Sequence, residues 1–247
     1  MTTFLIPAYN EEKRIGKTLN ELSYAFPQSK IIVVFDGNDH TPEVVKKFSK
    51  VNLVLFTVRL GKGRAIQEGI KYLKKEDNIA ILLDADMPVS IETIKEAIRL
   101  SNSYDLIIPS RCYVTKEHKR YFLHNAFISI AKLFFPSLKN LHDLQGGFKI
   151  VKVEAAKNVL DDLVINDLMF DINFILAFFK KKYRVKEIPV KWIHVKEDSK
   201  VSGNTWRVVL MFLLSLVKLR VYYSPFKIVL KTKTFIRVQN FALKILR

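Results

Sequence analysis

The sequence predicts an α/β protein built on a mostly parallel, doubly wound sheet. Two observations carry that expectation. Apolar runs of strand length alternate with longer helix-like segments through most of the chain. The runs are also continuous, without an in-out alternation, as strands covered by helices on both faces require. Strands are expected at Thr3–Pro7, Ile31–Phe35, Leu53–Thr57, Ile79–Leu83 and Leu106–Pro109. Helices are expected at Glu11–Ala25, Pro42–Ser49, Gly63–Lys74, Ile91–Ser101, Tyr121–Phe134, Val153–Leu160 and Phe170–Lys181. A late strand, Val185–Trp192, contains Pro189, whose missing backbone donor places that strand at a sheet edge.

Of 247 residues, 49% are apolar. That supports a sizeable core and argues against disorder. The length suits one large domain with an appendage, and the one composition shift falls near Ser202. A main domain is therefore expected over 1–202 and a basic tail over 203–247. Cys112 is the only cysteine, so no intramolecular disulfide can form, which fits a reducing compartment. The amino terminus lacks a basic segment followed by a long apolar run, so no signal peptide is expected.

The formal net charge is +17 and is unevenly placed. Asp198 is the last acidic residue, while Arg207, Lys218, Arg220, Lys227, Lys231, Lys233, Arg237, Lys244 and Arg247 follow it. Trp206, Phe212, Tyr222, Tyr223, Phe226, Phe235 and Phe241 are interleaved with them. Trp206–Tyr223 and Phe226–Leu246 read as helices divided at Ser224-Pro225. The longest apolar run, Val208–Val217, is short of the roughly 20 residues that a spanning helix needs. Anionic lipid satisfies both the charge and the apolar content, whereas nucleic acid satisfies only the charge. Amphipathic helices lying in a membrane interface are thus expected; packing on the main domain or on a second subunit is the alternative.

The chemistry concentrates after the strands. Ile79–Leu83 ends in Asp84-Ala85-Asp86, two hard carboxylates at a strand's carboxyl end, where open α/β sheets collect ligands. Such a pair suits a divalent metal and, through it, a diphosphate, although an Asp-x-Asp turn also arises as a plain helix cap. Pro7-Ala8-Tyr9-Asn10-Glu11-Glu12, Phe35-Asp36-Gly37-Asn38-Asp39 and Gly61-Lys62-Gly63-Arg64 follow three other strands. Several strands thus end in polar or glycine-rich turns at one sheet edge, which makes a composite site. The histidines make no convincing nucleophile dyad or triad.

With these motifs go Ser110-Arg111, Asp143-Leu144-Gln145-Gly146-Gly147-Phe148-Lys149, Phe170-Asp171, Ile188-Pro189-Val190-Lys191-Trp192 and Ser199-Lys200. In this order and spacing, over residues 2–202, the chain resembles family 2 glycosyltransferases of GT-A fold, in particular the polyprenyl-phosphate hexosyltransferases that make dolichyl-phosphate glucose or mannose. The resemblance implies a GT-A Rossmann-like sheet flanked by helices, followed here by the amphipathic tail. It implies that Pro7, Ala8, Tyr9 and Glu11 line a nucleoside pocket and that Asp36 accepts hydrogen bonds from base or ribose. Gly61 and Gly63 would let the backbone approach the nucleotide while Lys62 supplies charge. Asp84 and Asp86 would meet the nucleotide and a Mg²⁺ or Mn²⁺ ion. Ser110, Arg111, Arg120 and Lys200 would hold the acceptor phosphate, over a floor at Asp143–Lys149 centred on Gln145. Asp171 would contact a sugar hydroxyl or support its helix start.

The position two residues beyond Asp86, where mannose synthases often place Gln, is Pro88. Phe170-Asp171 and the Gln145 motif are nearer to glucose synthases, so UDP-glucose is the favoured donor and GDP-mannose the alternative. A lipid phosphate is already ionised near neutral pH and attacks without strong base help, so a single, inverting displacement is expected. The partners implied are a nucleotide sugar, a polyprenyl phosphate and an anionic membrane surface at the cytoplasmic face, with no nucleic acid. A non-lipid acceptor, a nucleotidyltransferase and a non-catalytic nucleic-acid binder are the other readings considered.

Overall fold

The computed structural model describes residues 1–112, 118–166, 169–192, 205–235 and 237. Its elements run β1 (Thr2–Ala8), α1 (Ile15–Ala25), β2 (Lys30–Phe35), α2 (Thr41–Lys46), β3 (Val51–Leu55), α3 (Lys62–Lys71), β4 (Ile79–Leu83) and α4 (Ile91–Leu100). They continue with β5 (Leu106–Cys112), α5 (His118–Phe134), β6 (Phe148–Lys152), α6 (Val153–Asn158), α7 (Phe170–Lys180), β7 (Val185–Lys191) and α8 (Thr205–Tyr222). By contact density the chain forms two compact units, Met1–Lys116 with Leu141–Val195, and Glu117–Asn140 with Lys196–Arg247.

The first unit holds a seven-stranded sheet in the order β3-β2-β1-β4-β6-β5-β7. Strands β1 to β4 pair in parallel, as do β5 and β7. The chain leaves β1 toward β2 and β3, then returns to β4 on the other side of β1. That reversal opens a crevice at the carboxyl ends of β1 and β4, the usual ligand position in such sheets. Strand β7 lies at the edge, where Pro189 needs no ladder donor on its open side.

Alternation along β1 explains why both faces are buried. Phe4, Ile6 and Ala8 join Ile15, Leu19 and Leu22 of α1 in one core cluster. Leu5 faces the opposite way, onto Gly69 of α3: a Cβ there would lie 2.3 Å from a Leu5 methyl carbon. Each such aliphatic side chain contributes about 1.5–3 kcal/mol on burial.

The structure corrects three expectations in the first unit. Phe148–Lys152, for which no element was expected, is a strand that inserts antiparallel between β4 and β5. Helix α1 begins at Ile15, four residues later than expected, because the Glu11 and Glu12 amides donate to Thr41 Oγ1 and Asp39 Oδ2 in the loop after β2. Strand β3 begins two residues early, since its register pairs Ile31 with Val51 and Phe35 with Leu55.

In the second unit α5 packs on α8, with the Phe127 and Phe212 rings 4.6 Å apart. Phe212, Ser215, Leu216 and Leu219 form the buried stripe of α8 at helical spacing. Trp206, Leu210, Leu214 and Val217 form a second, exposed stripe. After α8, Ser224 Oγ accepts from the Phe226 amide, and Pro225–Lys231 forms a 3₁₀-helix where an α-helix was expected. It stops at Thr232, whose backbone is extended. Residues 233–235 and 237 are helical, and the rest of the expected helix, at 236 and 238–246, lies outside the described residues. Among the described residues no helix is long and apolar enough to cross a membrane.

Asp105 ties the sheet together where β5 begins. Its carboxylate accepts from the Arg184 amide at 2.8 Å and from Lys152 Nζ at 2.9 Å. Burial alone would raise its pKa, but these donors outweigh burial and hold the carboxyl below its ordinary value near 3.8. A carboxyl with a lowered folded pKa stabilises the protein above its unfolded value, and that contribution is lost as the pH falls. Asp105→Ala should therefore destabilise the fold by about 1–3 kcal/mol near neutral pH. The gap from the parent protein should narrow below about pH 4, as read by urea denaturation across a pH series.

Candidate active site

The crevice is built from turns that hold one another. After β1, Asn10 adopts a left-handed backbone at φ 54°. Its side chain bonds Asn38 twice, through Nδ2 to Asn38 Oδ1 and through Oδ1 to the Asn38 amide, each at 2.9 Å. Glu11 holds Arg14 at 2.6 Å. The Tyr9 ring lies beneath the Arg59 guanidinium, 3.9 Å from its centroid. These contacts join the turns after β1, β2 and β3 into one wall.

Asp36 is buried, and its Oδ2 accepts from the Leu60 and Gly61 amides at 2.8 Å each. It therefore shapes the turn that starts α3, whatever else it meets. Gly61 takes φ +82°, a conformation that side chains disfavour. Gly63 allows α3 to approach α7, since a Cβ there would lie 2.6 Å from Phe170 Cβ. The space these glycines give is filled by the protein's own Asn166 and Phe170.

Lys62, at the first turn of α3, pairs with Asp84 Oδ1 at 2.7 Å. Burial lowers its pKa, but attraction by Asp84, Asp171 and Asp86 outweighs this and pushes it up to about 12. Asp86 shows the opposite imbalance. Burial and then the neighbouring Asp84 raise its pKa, against a smaller opposing effect of Arg14. The protonated form of Asp86 is thus favoured, first by burial and then by its neighbour Asp84. The backbone of the turn is fixed by Thr18 Oγ1, which donates to the Ala85 carbonyl at 2.7 Å.

On the far side, the Gly146-Gly147 turn presses against β4 and β5. A Cβ on Gly147 would lie 1.7 Å from Asp84 Oδ2, and one on Gly146 would lie 2.1 Å from Pro109 Cγ. The Asp84 amide donates to the Gly147 carbonyl at 3.2 Å. Lys149 Nζ donates to the Gly146 carbonyl at 2.6 Å and pairs with Asp171 in a buried ion pair. Asp171 therefore meets a lysine.

Arg111 grips Asp143 with two guanidinium nitrogens, Nε to Oδ2 and Nη2 to Oδ1, and stacks over Trp192 at 5.3 Å. Asp143 also accepts from the Gln145 amide at 3.0 Å. Gln145 Nε2 points to Met169 Sδ at 3.7 Å. Ser110 precedes Arg111 on β5, opposite Pro189 of β7. Arg120 belongs to α5 in the second unit, and its side chain lies outside the described residues, as do Ser199 and Lys200.

The structure thus brings Pro7, Ala8, Tyr9, Glu11, Asp36, Gly61, Lys62, Gly63, Asp84, Asp86, Gln145 and Arg111 to one edge of the sheet. Sequence reasoning gave no role to Arg59, and gave Lys149 only the end of the Asp143–Lys149 floor. Arg59 stands two residues before Gly61, in the same turn as Lys62, and Lys149 closes the quoted glycine motif, so both signals were visible.

The fold and this arrangement of turns define a nucleotide-sugar transferase of GT-A class. Residues 3–160 match the model of Glycosyl transferase family 2, and the chain belongs to that family. It is a glycosyltransferase. A dolichyl-phosphate beta-glucosyltransferase of Trichomonas vaginalis is 26% identical, spanning 97% of this chain and 77% of its own. The human dolichyl-phosphate beta-glucosyltransferase is 29% identical over 82% of this chain and 70% of its own. A crystal structure of glucosyl-3-phosphoglycerate synthase from Mycobacterium tuberculosis, in complex with Mn²⁺, UDP and phosphoglyceric acid, shares the fold with a TM-score of 0.67 at 16% identity. It covers 87% of this chain and 78% of its own.

A methyl group on Gly147 has no room beside Asp84. Gly147→Ala should cost about 1–3 kcal/mol of stability. Turnover per folded molecule should fall as well, because Asp84 is displaced. Denaturant titration and a transfer assay on the same preparation check both parts.

Proposed function

We propose that the enzyme moves glucose from UDP-glucose to a dolichyl or other polyprenyl phosphate at the cytoplasmic face of a membrane, with inversion at the anomeric carbon. The observation that carries this reading is the Asp84-Ala85-Asp86 turn set between Lys62 and the Gly146-Gly147 turn at the sheet's switch point. The names of the relatives support the sugar and the lipid, and Pro88 favours glucose over mannose.

In this reading the Tyr9, Glu11 and Asp36 turns receive the nucleoside. Lys62 faces the diphosphate, and its raised pKa keeps it cationic at neutral pH. Arg111 and Ser110 hold the acceptor phosphate, and Arg111 is already oriented by Asp143 and Trp192. A phosphate monoester needs no general base, so Gln145 and Asp143 serve to shape the floor. Asp84 and Asp86 would hold a divalent metal, Mg²⁺ or Mn²⁺. Among the described residues no group of three or more His, Cys, Asp or Glu gathers as a metal site. Two carboxylates plus diphosphate oxygens and water are nevertheless the donor set that Mg²⁺ takes in phosphate enzymes. Burial of Asp86 beside a second carboxylate, Asp84, fits that cation. When bound, the metal would neutralise charge on the departing nucleoside diphosphate.

The second unit supplies the membrane side of this reading. Trp206, Leu210, Leu214 and Val217 on α8, and Phe226, Ile228 and Val229 after it, are exposed. Arg220, Lys227, Lys231 and Lys233 are exposed among them, with no carboxylate. Apolar side chains rimmed by cations match an anionic lipid interface.

Asp86→Asn should lower transfer by about a hundredfold or more while leaving thermal stability equal to or above that of the parent, because it relieves repulsion with Asp84. Near-parent activity would remove Asp86 from the site. A radiolabelled assay comparing UDP-glucose with GDP-mannose on polyprenyl phosphate, with and without chelator, should show UDP-glucose preferred and chelator inhibitory. For the membrane, Leu210→Glu with Leu214→Glu should weaken sedimentation with anionic vesicles by at least about tenfold, since burying each leucine is worth about 1.5–3 kcal/mol. Unchanged sedimentation by this folded variant would exclude that face.

A further inference from the structure

We propose that Lys62 is a resident cation that keeps metal off Asp84 until a diphosphate draws the ammonium away, so that metal binding depends on the nucleotide. The proposal rests on the reading of Asp84 and Asp86 as the metal-side carboxylates, and goes beyond it by assigning an order of binding.

The geometry of Asp84 carries the inference. Its two carboxylate oxygens are covered from different sides. Oδ2 lies against Gly147, where even a methyl group would be only 1.7 Å away. Oδ1 is capped by Lys62 Nζ at 2.7 Å. The backbone that carries the carboxylate is anchored, because the Asp84 amide is bonded to the Gly147 carbonyl and the next carbonyl is held by Thr18. A cation approaching Asp84 Oδ1 therefore meets an ammonium group already paired with it. Two cations on one oxygen repel, so the metal alone binds at a disadvantage.

Lys62 is built to leave. Its backbone is anchored, since the preceding Gly61 amide is bonded to buried Asp36. Its four-carbon stem has several rotatable bonds, and its side chain keeps 26% of its surface exposed. A diphosphate placed at the start of α3 offers the ammonium more negative charge than Asp84 does. When Lys62 turns to the diphosphate, Asp84 Oδ1 is uncovered and the same diphosphate supplies further oxygens for the metal. Nucleotide and metal each favour the other's binding, as linkage requires. Asp171 does not take over the lysine, because it is already paired with Lys149.

The test measures binding without turnover. Mn²⁺ is titrated into the full chain and followed by electron paramagnetic resonance, with and without UDP, and with GDP in parallel. UDP and GDP are also titrated without metal. In the parent protein, Mn²⁺ alone should bind weakly, and nucleotide should tighten it by about tenfold or more, within the roughly 5–150-fold range usual for coupled sites. In Lys62→Met, Mn²⁺ alone should bind about tenfold tighter while nucleotide alone binds weaker, and the coupling should shrink accordingly. These opposite signs separate the proposal from simple damage, which weakens both. Equal or weaker Mn²⁺ binding in Lys62→Met overturns the proposal and leaves the metal site standing. Absence of Mn²⁺ binding in both proteins, even with nucleotide, overturns the metal reading together with it.

Discussion

The confinement of Asp84 is the constraint on which the rest of the site depends. One carboxylate oxygen lies against the Gly147 backbone and the other against Lys62. For Gly147 to stand there, β6 must run antiparallel to β4 with Leu83 opposite Phe148. For Lys62 to stand there, α3 must start at the turn that Asp36 secures. The inserted strand and the helix start thus converge on one side chain. Because interiors are close-packed, a shift in either is transmitted to it directly.

Charge extends this constraint away from the turn. Lys149, Asp171, Lys62 and Asp84 alternate in sign between β6, α7, α3 and β4. The Lys149–Asp171 pair is buried, and such pairs are a weak source of net stability because desolvation offsets attraction. Removing one partner is another matter, at about 3–5 kcal/mol, since a charge is left without compensation. The pair therefore acts mainly on position. Lys149 also holds the Gly146 carbonyl, so it fixes the turn that walls Asp84.

Most of the sheet was legible because its strands are continuous apolar runs bounded by polar turns. Strand β6 was missed because Phe148–Val151 follows a double glycine and reads equally well as a loop packing inward. Its direction is set by partners on β4 and β5 that no local pattern reveals. The site residues were legible as motifs, but their partners were not. Gly61 and Gly63 read as room for a nucleotide, whereas the room is taken by Asn166 and Phe170, which lie about a hundred residues away. Asp171 read as a sugar or helix-end contact because its lysine comes from another element. In the tail, cations and aromatics gave the character of the surface, yet not the 3₁₀ geometry after Pro225, which follows from the local Ser224 cap and the break at Thr232.

Arg111 shows how attraction and orientation are divided in this molecule. A lone guanidinium would draw an anion strongly and hold it loosely. Here Asp143 takes both edges of the fork that it can reach, and Trp192 lies under the plane. Glu187 in turn bonds the His142 and Asp143 amides, so the loop carrying Asp143 is itself braced. These carboxylates offset much of the local positive charge, so Arg111 is poorly suited to long-range attraction. It is well suited to offering donors whose direction is already fixed, at no reorganisation cost when an anion arrives. Long-range attraction can instead come from the distributed excess of +17, much of it in the acid-free tail. Under the proposed function, one set of cations would collect anions and another would orient them, so weakening the first should act on encounter and weakening the second on turnover.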